Sequence, residues 1–367
     1  MRSSLVALSL ALAVGCSAPQ KPGPGPAPAA SVPPSVAPPA APSSAPRPVA
    51  SSGPDWKDAP VLRVAPSTFA LPGEMAPTKL ETLWDDSTGC GPQAVFGAGD
   101  AAFVLCSAQG EVRRIGADKE ARLIYKNETH LSQGAIGGDQ LIVGQVGAGN
   151  GVVISVPLAG GPFRVLTRSL DGPHGLAADA NAAYIVSQLK ILRVTRSGDE
   201  RVLARTTGVA ATMAARGGEL YFIDSRQPAP TASSRSFLFR VRGTGEPEAI
   251  ASFEEHVDHL VVDDQAVYVH LSGRNEIVRL PKTAGQPAVV TKTFGISFGP
   301  LSDGKHLYWV DTIGVVPTVL RAKVTGGSAE ALARAEPDHS LMQIALTDQH
   351  VVVMTSFSQT RLVRVPK

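Results

Sequence analysis

His174 and the adjacent pair Asp258 and His259 are the residues whose types could do chemistry in this chain. Imidazole and carboxylate groups together act as general acids and bases, or as metal ligands. His256 lies three residues before His259, but that spacing brings two side chains together only in a helix. Together these residues could form a polar or metal-binding cluster, or each side chain could simply hydrogen-bond to water and to backbone turns. We expect the second, and assign no metal.

Serine motifs also occur, but each lies where the local structure argues against catalysis. Gly295–Gly299 matches Gly-x-Ser-x-Gly around Ser297, yet Pro300 and a predicted strand follow in place of the helix that this motif needs. Ser-x-x-Lys occurs at Ser187 with Lys190 and at Ser302 with Lys305, in predicted strands or turns. Asp224 and Asp311 each end an apolar run, where a carboxylate usually caps a turn. We therefore assign no catalytic residue.

The elements that position these residues form a repeat. A segment such as Leu192-Arg193-Val194 returns along the chain at intervals of 38 to 47 residues. Its anchors are Ile115, Val156, Val194, Val241, Leu280, Ala322 and Val365. A near-constant period of this length, made of short strands, is typical of β-propeller blades.

Each repeat contains four short runs rich in Val, Ile and Leu. In the unit from Leu170 to Thr207, the runs are separated by Gly, Asp, Asn and Ser. Runs this short, bounded by turn residues, predict strands joined by tight turns and no helices. The fold class is therefore all-β, with four-stranded blades.

The last repeat stops at Lys367, after its third strand. Pro77–Leu83 resembles the fourth strands of the other repeats and lies one period before Leu123. We predict a seven-bladed propeller over residues 77–367 whose last blade is closed by this N-terminal strand. Rings of six or eight blades stay open as alternatives, because Val61–Ala70 could supply a further strand.

The run from Asp303 to Asp311, followed by Leu-Arg-Ala-Lys-Val-Thr-Gly-Gly, resembles bacterial propellers of the TolB-like, NHL and YncE-like group. The resemblance covers about Pro77 to Lys367 and concerns the fold. Members of that group include interaction scaffolds, substrate-binding modules and a few lyases and dehydrogenases. The resemblance alone does not choose among these functions.

The N-terminus predicts a compartment. Met1–Cys16 has a basic start and a short apolar run, as secretory signals do, and Ala13–Cys16 resembles a bacterial lipobox with Cys16 as the lipidated residue. Residues 17–54, rich in Pro, Ala and Ser, predict a disordered tether, and residues 55–76 an extended lead-in. We expect a palmitate-bearing lipoprotein of the cell envelope, at the outer membrane.

Composition excludes some partners. The chain carries 34 basic and 32 acidic residues, scattered along the repeats, so nucleic-acid binding has no support. Beyond Cys16, only Cys90 and Cys106 remain, flanking one predicted hairpin. In an oxidising compartment they favour a disulfide over two buried thiols. We expect a monomer without a cofactor.

Aligned repeats place one residue of each blade near the start of its innermost strand, beside the central channel. The polar members, a candidate binding set, are Gln93, Gln133, His174, Asp258 with His259, and Gln343; Ala211 and Phe298 interrupt the set. Arg226–Arg235 is an inserted loop, which could bind a partner or be merely tolerated. Two hypotheses follow: a lipid-anchored scaffold that binds an envelope protein or glycan, or an envelope lyase or hydrolase acting at the channel mouth.

Overall fold

The computed structural model describes residues 59–65, 67–69, 78, 80–87, 89–127, 129–146, 151–207, 212–226, 235–283, 285–313, 316–335, 339–356 and 360–367, with backbone only for Val146, Ser169, His174 and Ser297. The proposed signal peptide, tether and Cys16 lie outside these residues, as does most of the inserted loop. In the described part of the chain, no helix is long and apolar enough to cross a membrane.

All regular structure in these residues is β-strand. In chain order the strands are β1 (Glu81–Asp85), β2 (Pro92–Ala98), β3 (Ala101–Cys106), β4 (Glu111–Ile115), β5 (Ala121–Lys126), β6 (His130–Gly137), β7 (Gln140–Val146), β8 (Gly151–Pro157), β9 (Arg164–Leu170), β10 (Pro173–Ala178), β11 (Ala182–Ser187), β12 (Lys190–Thr195), β13 (Glu200–Arg205), β14 (Met213–Arg216), β15 (Glu219–Arg226), β16 (Arg235–Arg242), β17 (Glu248–Phe253), β18 (Val257–Val262), β19 (Ala266–Leu271), β20 (Glu276–Pro281), β21 (Ala288–Lys292), β22 (Ile296–Ser302), β23 (His306–Ile313), β24 (Val316–Lys323), β25 (Glu330–Arg334), β26 (Ser340–Leu346), β27 (His350–Ser356) and β28 (Thr360–Pro366).

The strands form seven four-stranded antiparallel blades. Blade 1 has the order β2-β3-β4-β5, and blades 2 to 6 repeat it from β6, β10, β14, β18 and β22. Blade 7 has the order β26-β27-β28-β1. The first strand of every blade contacts the first strands of both neighbouring blades, so these inner strands surround one axis. The predicted seven-bladed propeller is confirmed.

The core is divided into seven apolar clusters, one at each interface between adjacent blades. Between blades 3 and 4, for example, Tyr184 and Val186 pack with Phe222 and Phe237. Five of the other six clusters also combine buried aliphatic and aromatic side chains, and the cluster between blades 2 and 3 is aliphatic among the described residues. Each blade is too thin to bury its own faces, so its stability depends on both neighbours.

A β-bulge lies near the start of the inner strand in blades 1, 2, 3, 5, 6 and 7, where the pairing with the second strand shifts by one residue. A bulge increases local twist and turns the following side chains. We name the end of the ring that holds these bulges and the links between blades the linker face. The opposite end, with the turns between first and second strands, is the hairpin face.

The ring closes where β1 pairs with β28, from Glu81 opposite Arg364 to Asp85 opposite Arg361. The strand begins at Glu81, four residues later than the sequence suggested, and runs beyond Leu83 to Asp85. Leu83 and Trp84 are buried in the cluster between blades 7 and 1. The closure strand therefore supplies both backbone pairing and apolar contact to the last interface.

The chain before β1 is a strap along the outside of blades 4 to 6, described at 59–65 and 67–69. Val61 forms a parallel bridge with Ser252 on β17, the outer strand of blade 4. Farther on, Val64 accepts a hydrogen bond from Arg274, and Ser67 donates one to Glu276 in blade 5. Because the strap makes one isolated bridge and no strand, the blade count stays at seven.

The link into blade 1 is fixed covalently. Cys90 and Cys106 form the predicted disulfide, with a Cα–Cα distance of 5.1 Å and both residues fully buried. Cys106 is the last residue of β3, and in other blades that position also bonds to the incoming link. Asp224 accepts a hydrogen bond from Thr207 N, and Asp311 accepts one from Phe294 N. These two aspartates therefore cap links between blades.

The closure predicts a specific loss of stability. Replacing Trp84→Ala should lower the free energy of unfolding by about 3 kcal/mol, because it leaves a cavity at the last blade interface. The control is Thr82→Ala, an exposed position on the same strand, which should change it by less than about 0.5 kcal/mol. Denaturant unfolding measures both. Equal stabilities of the two variants would contradict a sealing role for β1.

Candidate functional site

The residues predicted at the channel mouth occupy two successive positions of the inner strands. Gln93, His174 and Asp258 are the bulge residues of blades 1, 3 and 5. Gln133, His259 and Gln343 each follow a bulge, in blades 2, 5 and 7. Phe298 also follows a bulge, and Ala211 lies outside the described residues. The structure thus places the set at one mouth of the ring but not at one level.

Side chains that follow a bulge bond to the next blade. Gln133 Nε2 donates to Pro173 O at 3.3 Å, and Gln343 Oε1 accepts from Val95 N at 2.8 Å. The ring of His259 donates to the carbonyl of Ile296. Inner strands are sheet edges, whose backbone groups need partners. These polar side chains therefore give hydrogen-bond partners to backbone groups at the edge of the neighbouring blade.

In blade 4, Thr212 stands at the position that follows the bulge in other blades, because its carbonyl accepts a hydrogen bond from Ile223 N. Its hydroxyl donates to Asp258 O at 3.4 Å, again across a blade interface. Sequence alignment missed Thr212 because it placed Ala211 at this level. A threonine in a short polar run carries no signal that separates it from a turn residue.

Asp258 leads to a buried chain of polar groups in blade 5. Its carboxylate lies 2.7 Å from Nδ1 of His270, and Nε2 of His270 lies 3.0 Å from the hydroxyl of Thr293. An ionised carboxylate only accepts, so Nδ1 of His270 donates to Asp258, and Nε2 shares a hydrogen bond with the hydroxyl of Thr293. Every polar atom of the imidazole is thereby satisfied.

His270 breaks the repeat and was not predicted. It pairs with His259, the residue after the bulge. The residues that pair with this position in blades 1, 2, 3, 6 and 7 are Leu105, Gly144, Val186, Val310 and Met354. A histidine at a position otherwise held by apolar residues or glycine needs polar partners, which Asp258 and Thr293 provide.

The cluster lowers the pKa of both ionisable groups nearest the channel, Asp258 and His259, for different reasons. Burial raises the pKa of Asp258, but the hydrogen bond from His270 and the nearby imidazoles outweigh it, and the pKa lies below its ordinary value. Burial also lowers the pKa of His259, and the negative charge of Asp258 only partly opposes this shift. At neutral pH, Asp258 is therefore an anion beside a neutral His259.

Carboxylate, imidazole and hydroxyl in this order form the arrangement of a hydrolase triad. Catalysis also requires that substrate reach the nucleophile, and here Thr293 is 2% exposed and His270 is 1% exposed. Only Asp258, with its side chain 32% exposed, is open to solvent. The closed geometry fits a network that orders the links around blade 5.

This cluster holds no group of metal ligands among the described residues, and three cavities of the ring lie elsewhere. Among the described residues, no three His, Cys, Asp or Glu side chains come together as metal ligands. Three surface cavities are lined by other residues: one between blades 1 and 2, one between blades 2 and 3, and one in blade 7. The channel mouth is thus a surface of mixed polar and apolar groups.

Comparisons with solved structures agree with the fold. Virginiamycin B lyase from Staphylococcus aureus superposes with a TM-score of 0.58 at 13% identity, covering 79% of this chain and 99% of that one. YCF48 bound to D1 peptide gives 0.52 at 11% identity, covering 81% and 99%. Pyrococcus horikoshii acylaminoacyl peptidase gives 0.57 at 8% identity, covering 77% and 53%. Such identities support a shared propeller fold alone.

No protein-family model matches the chain, and no curated protein matches it. The neighbours in fold include enzymes and a peptide-bound protein, so the choice of function depends on this chain's own residues.

The lowered pKa of His259 predicts a pH effect. The unfolded chain gains a proton as pH falls through the ordinary value of 6.5, while the folded state resists protonation, so stability is lost on acidification. His259→Gln should keep a donor for the carbonyl of Ile296, as Gln133 provides one for the carbonyl of Pro173 in its blade. Its melting temperature should therefore fall less than the wild type's between pH 7.5 and 5.5.

His350 is the matched comparison, since burial lowers its pKa too. His350→Gln should remove a separate part of the change in melting temperature with pH, and the effects of the two substitutions should add. If His259→Gln leaves this pH dependence unchanged, His259 titrates alike in the folded and unfolded states.

Proposed function

We propose that this protein is a non-enzymatic binding scaffold of the bacterial cell envelope, anchored by a lipid on Cys16. Its linker face takes an envelope protein or glycan. The observation that carries the proposal is the chemistry of this face: apolar side chains are exposed there, while the polar groups that could catalyse are engaged in bonds within the ring.

Three of the five large hydrophobic side chains that are exposed among the described residues lie on the linker face. Phe298 and Met342, each 36% exposed, start the inner strands of adjacent blades 6 and 7, and Leu189, 46% exposed, lies in the β11–β12 turn. Exposed Gln93 and anionic Asp258 add polar groups. Apolar residues beside polar ones are typical of interaction surfaces.

The ring behind this surface is suited to presenting it rigidly. Gln133, Thr212, His259 and Gln343 bond across four of the seven blade interfaces. Their side chains would have to leave these partners before they could act on a substrate. A surface built on satisfied, cross-bonded strands binds without first reorganising its backbone, which lowers the entropic cost of association.

A lyase or hydrolase is the second candidate, because Asp258, His270 and Thr293 lie in the order of a catalytic triad. That reaction would require the link containing Thr293 to open. Burial of both His270 and Thr293 makes binding the better supported function.

The linker face should crosslink to its partner. With benzoylphenylalanine in place of Met342, irradiation of envelope fractions should give one discrete adduct, because this photophore reacts with C–H bonds of proteins and glycans alike. The same residue in place of Asp348, exposed on the hairpin face, should give none. Adding Phe298→Ser should remove the Met342 adduct. Adducts at both positions, or at neither, would refute the proposed face.

The anchor is tested separately. The Cys16→Ser variant should lose incorporation of labelled palmitate and move from the membrane to the soluble envelope fraction, since a single apolar run of this length does not span a bilayer. Cys90→Ser with Cys106→Ser should leave the fractionation unchanged. Membrane association that survives Cys16→Ser would overturn the lipoprotein assignment.

A further inference from the structure

A polar bridge on the hairpin face links several blades to the next blade. In blade 3, Asp179 Oδ1 accepts from Asn181 N and Ala182 N, and its Oδ2 accepts from the hydroxyl of Tyr184 and from Gly218 N of blade 4. Burial and the charge of Asp179 raise the pKa of Tyr184 to about 12, so the hydroxyl keeps its proton. We name this arrangement the Asp–Tyr bridge.

The Asp–Tyr bridge recurs in blades 5 and 6. Asp263 accepts from Tyr268 at 2.9 Å and from Ser302 of blade 6 at 3.0 Å. Asp303 accepts from Tyr308 at 2.9 Å and lies 3.8 Å from Lys367 in blade 7. In each case a carboxylate fills the space between two blades.

An arginine on the third strand completes the bridge. Arg193 pairs with Tyr184 across the strands and hydrogen-bonds to its hydroxyl. Arg279 has the same relation to Tyr268. The order guanidinium, phenol, carboxylate therefore recurs in blades 3 and 5, and in blade 6 Arg321 also pairs with Tyr308 across the strands.

Blade 1 keeps the arginine but lacks the other two groups. Arg114 pairs with Phe103, which has no hydroxyl. Ala98, which pairs with Ala101 two residues before Phe103, stands where Asp179 stands in blade 3. A groove of about 730 Å³ opens at this place, between blades 1 and 2, and Ala98, Phe103 and Arg114 line it.

Blade 2 shows the same relation between the bridge and open space. Gly137 and Ile142 stand at the positions of the aspartate and the tyrosine, and Ser155 at that of the arginine. A smaller cavity, of about 210 Å³, lies between blades 2 and 3 and is lined by Ile142 and Ser155. Open space lies at these two interfaces, where the Asp–Tyr bridge is missing, and of the two blades only blade 1 keeps the third-strand arginine. In blade 7, where Thr347 and Val352 also replace the bridge, the equivalent Arg364 pairs with Glu81 of the closure strand.

We propose that the groove between blades 1 and 2 binds a small ligand with an apolar body and one carboxylate, and that Arg114 binds the carboxylate. The ligand's carboxylate takes the place that Asp179 and Asp263 fill at other interfaces. The groove volume lies in the range of small-molecule sites. This inference goes beyond the proposed scaffold function, because the site is on the opposite face.

The walls of the groove suit an apolar body. Ile124 of blade 1 and Leu158 of blade 2, both half-buried, pack against the apolar cluster between these blades, and buried Phe103 belongs to that cluster. Leu123, at the rim, is 52% exposed. Covering such side chains with a ligand removes apolar surface from water, which favours binding.

Arg114 can exchange its present partner at low cost. It contacts Asp100 at 3.3 Å, and that carboxylate is 74% exposed. Exposed ion pairs of this kind contribute little to stability. A carboxylate held inside the groove is less hydrated and bonds a guanidinium more strongly.

Calorimetric titration with decanoate tests the site, with decanamide as the neutral probe of equal length. Decanoate should bind the purified protein at one site, at least tenfold more tightly than decanamide. Phe103→Tyr gives Arg114 the hydroxyl that its equivalents have, and should weaken decanoate binding at least tenfold. Arg114→Ala should do the same.

Arg321→Ala is the matched control. Arg321 holds the third-strand position of Arg114 in blade 6 and pairs with Glu330, so its loss should change decanoate affinity by less than threefold. The inference is overturned if decanoate does not bind, if decanamide binds equally well, or if Phe103→Tyr binds decanoate like the wild type. Phe103→Tyr is a conservative change, which keeps the test valid should Arg114→Ala fail to fold.

Discussion

The pairing of β1 with β28 is the contact on which the whole ring depends. Apolar clusters lie between blades, so a blade is stable only between two neighbours. Six interfaces join blades that are consecutive in sequence, and the seventh joins the two ends of the domain. Leu83 and Trp84 seal that interface. Closure converts a stack with two exposed ends into a structure with none.

Within this ring, departures from the repeat are the first places to look for function, because most common positions are occupied by packing and turns. Three departures stand out. The second-strand position of Cys106 bonds to the incoming link through a disulfide in blade 1, and through the carboxylate of Asp224 in blade 4. His270 introduces a buried polar chain into blade 5. Ala98 and Phe103 remove the Asp–Tyr bridge from blade 1.

Much of the fold could be predicted, because a repeat of short apolar runs leaves a period in the sequence, and a missing fourth strand implies a borrowed one. The site could be predicted only in part. Bulges shift the register without any change of composition, so the sequence places Gln93 and Gln133 at equivalent positions, although they differ by one position in the structure. His270 lay inside an apolar run, and its partner Thr293 is 23 residues away, which a local pattern cannot reveal.

The strap has a mechanical consequence. A force pulling on the chain ahead of residue 59 reaches the bridge between Val61 and Ser252 first, and then the contacts of Arg274 and Glu276. Only after these yield does the load arrive at β1. The closure strand, whose detachment would open the whole ring, is therefore shielded from tension by bonds that can break and re-form without unfolding a blade.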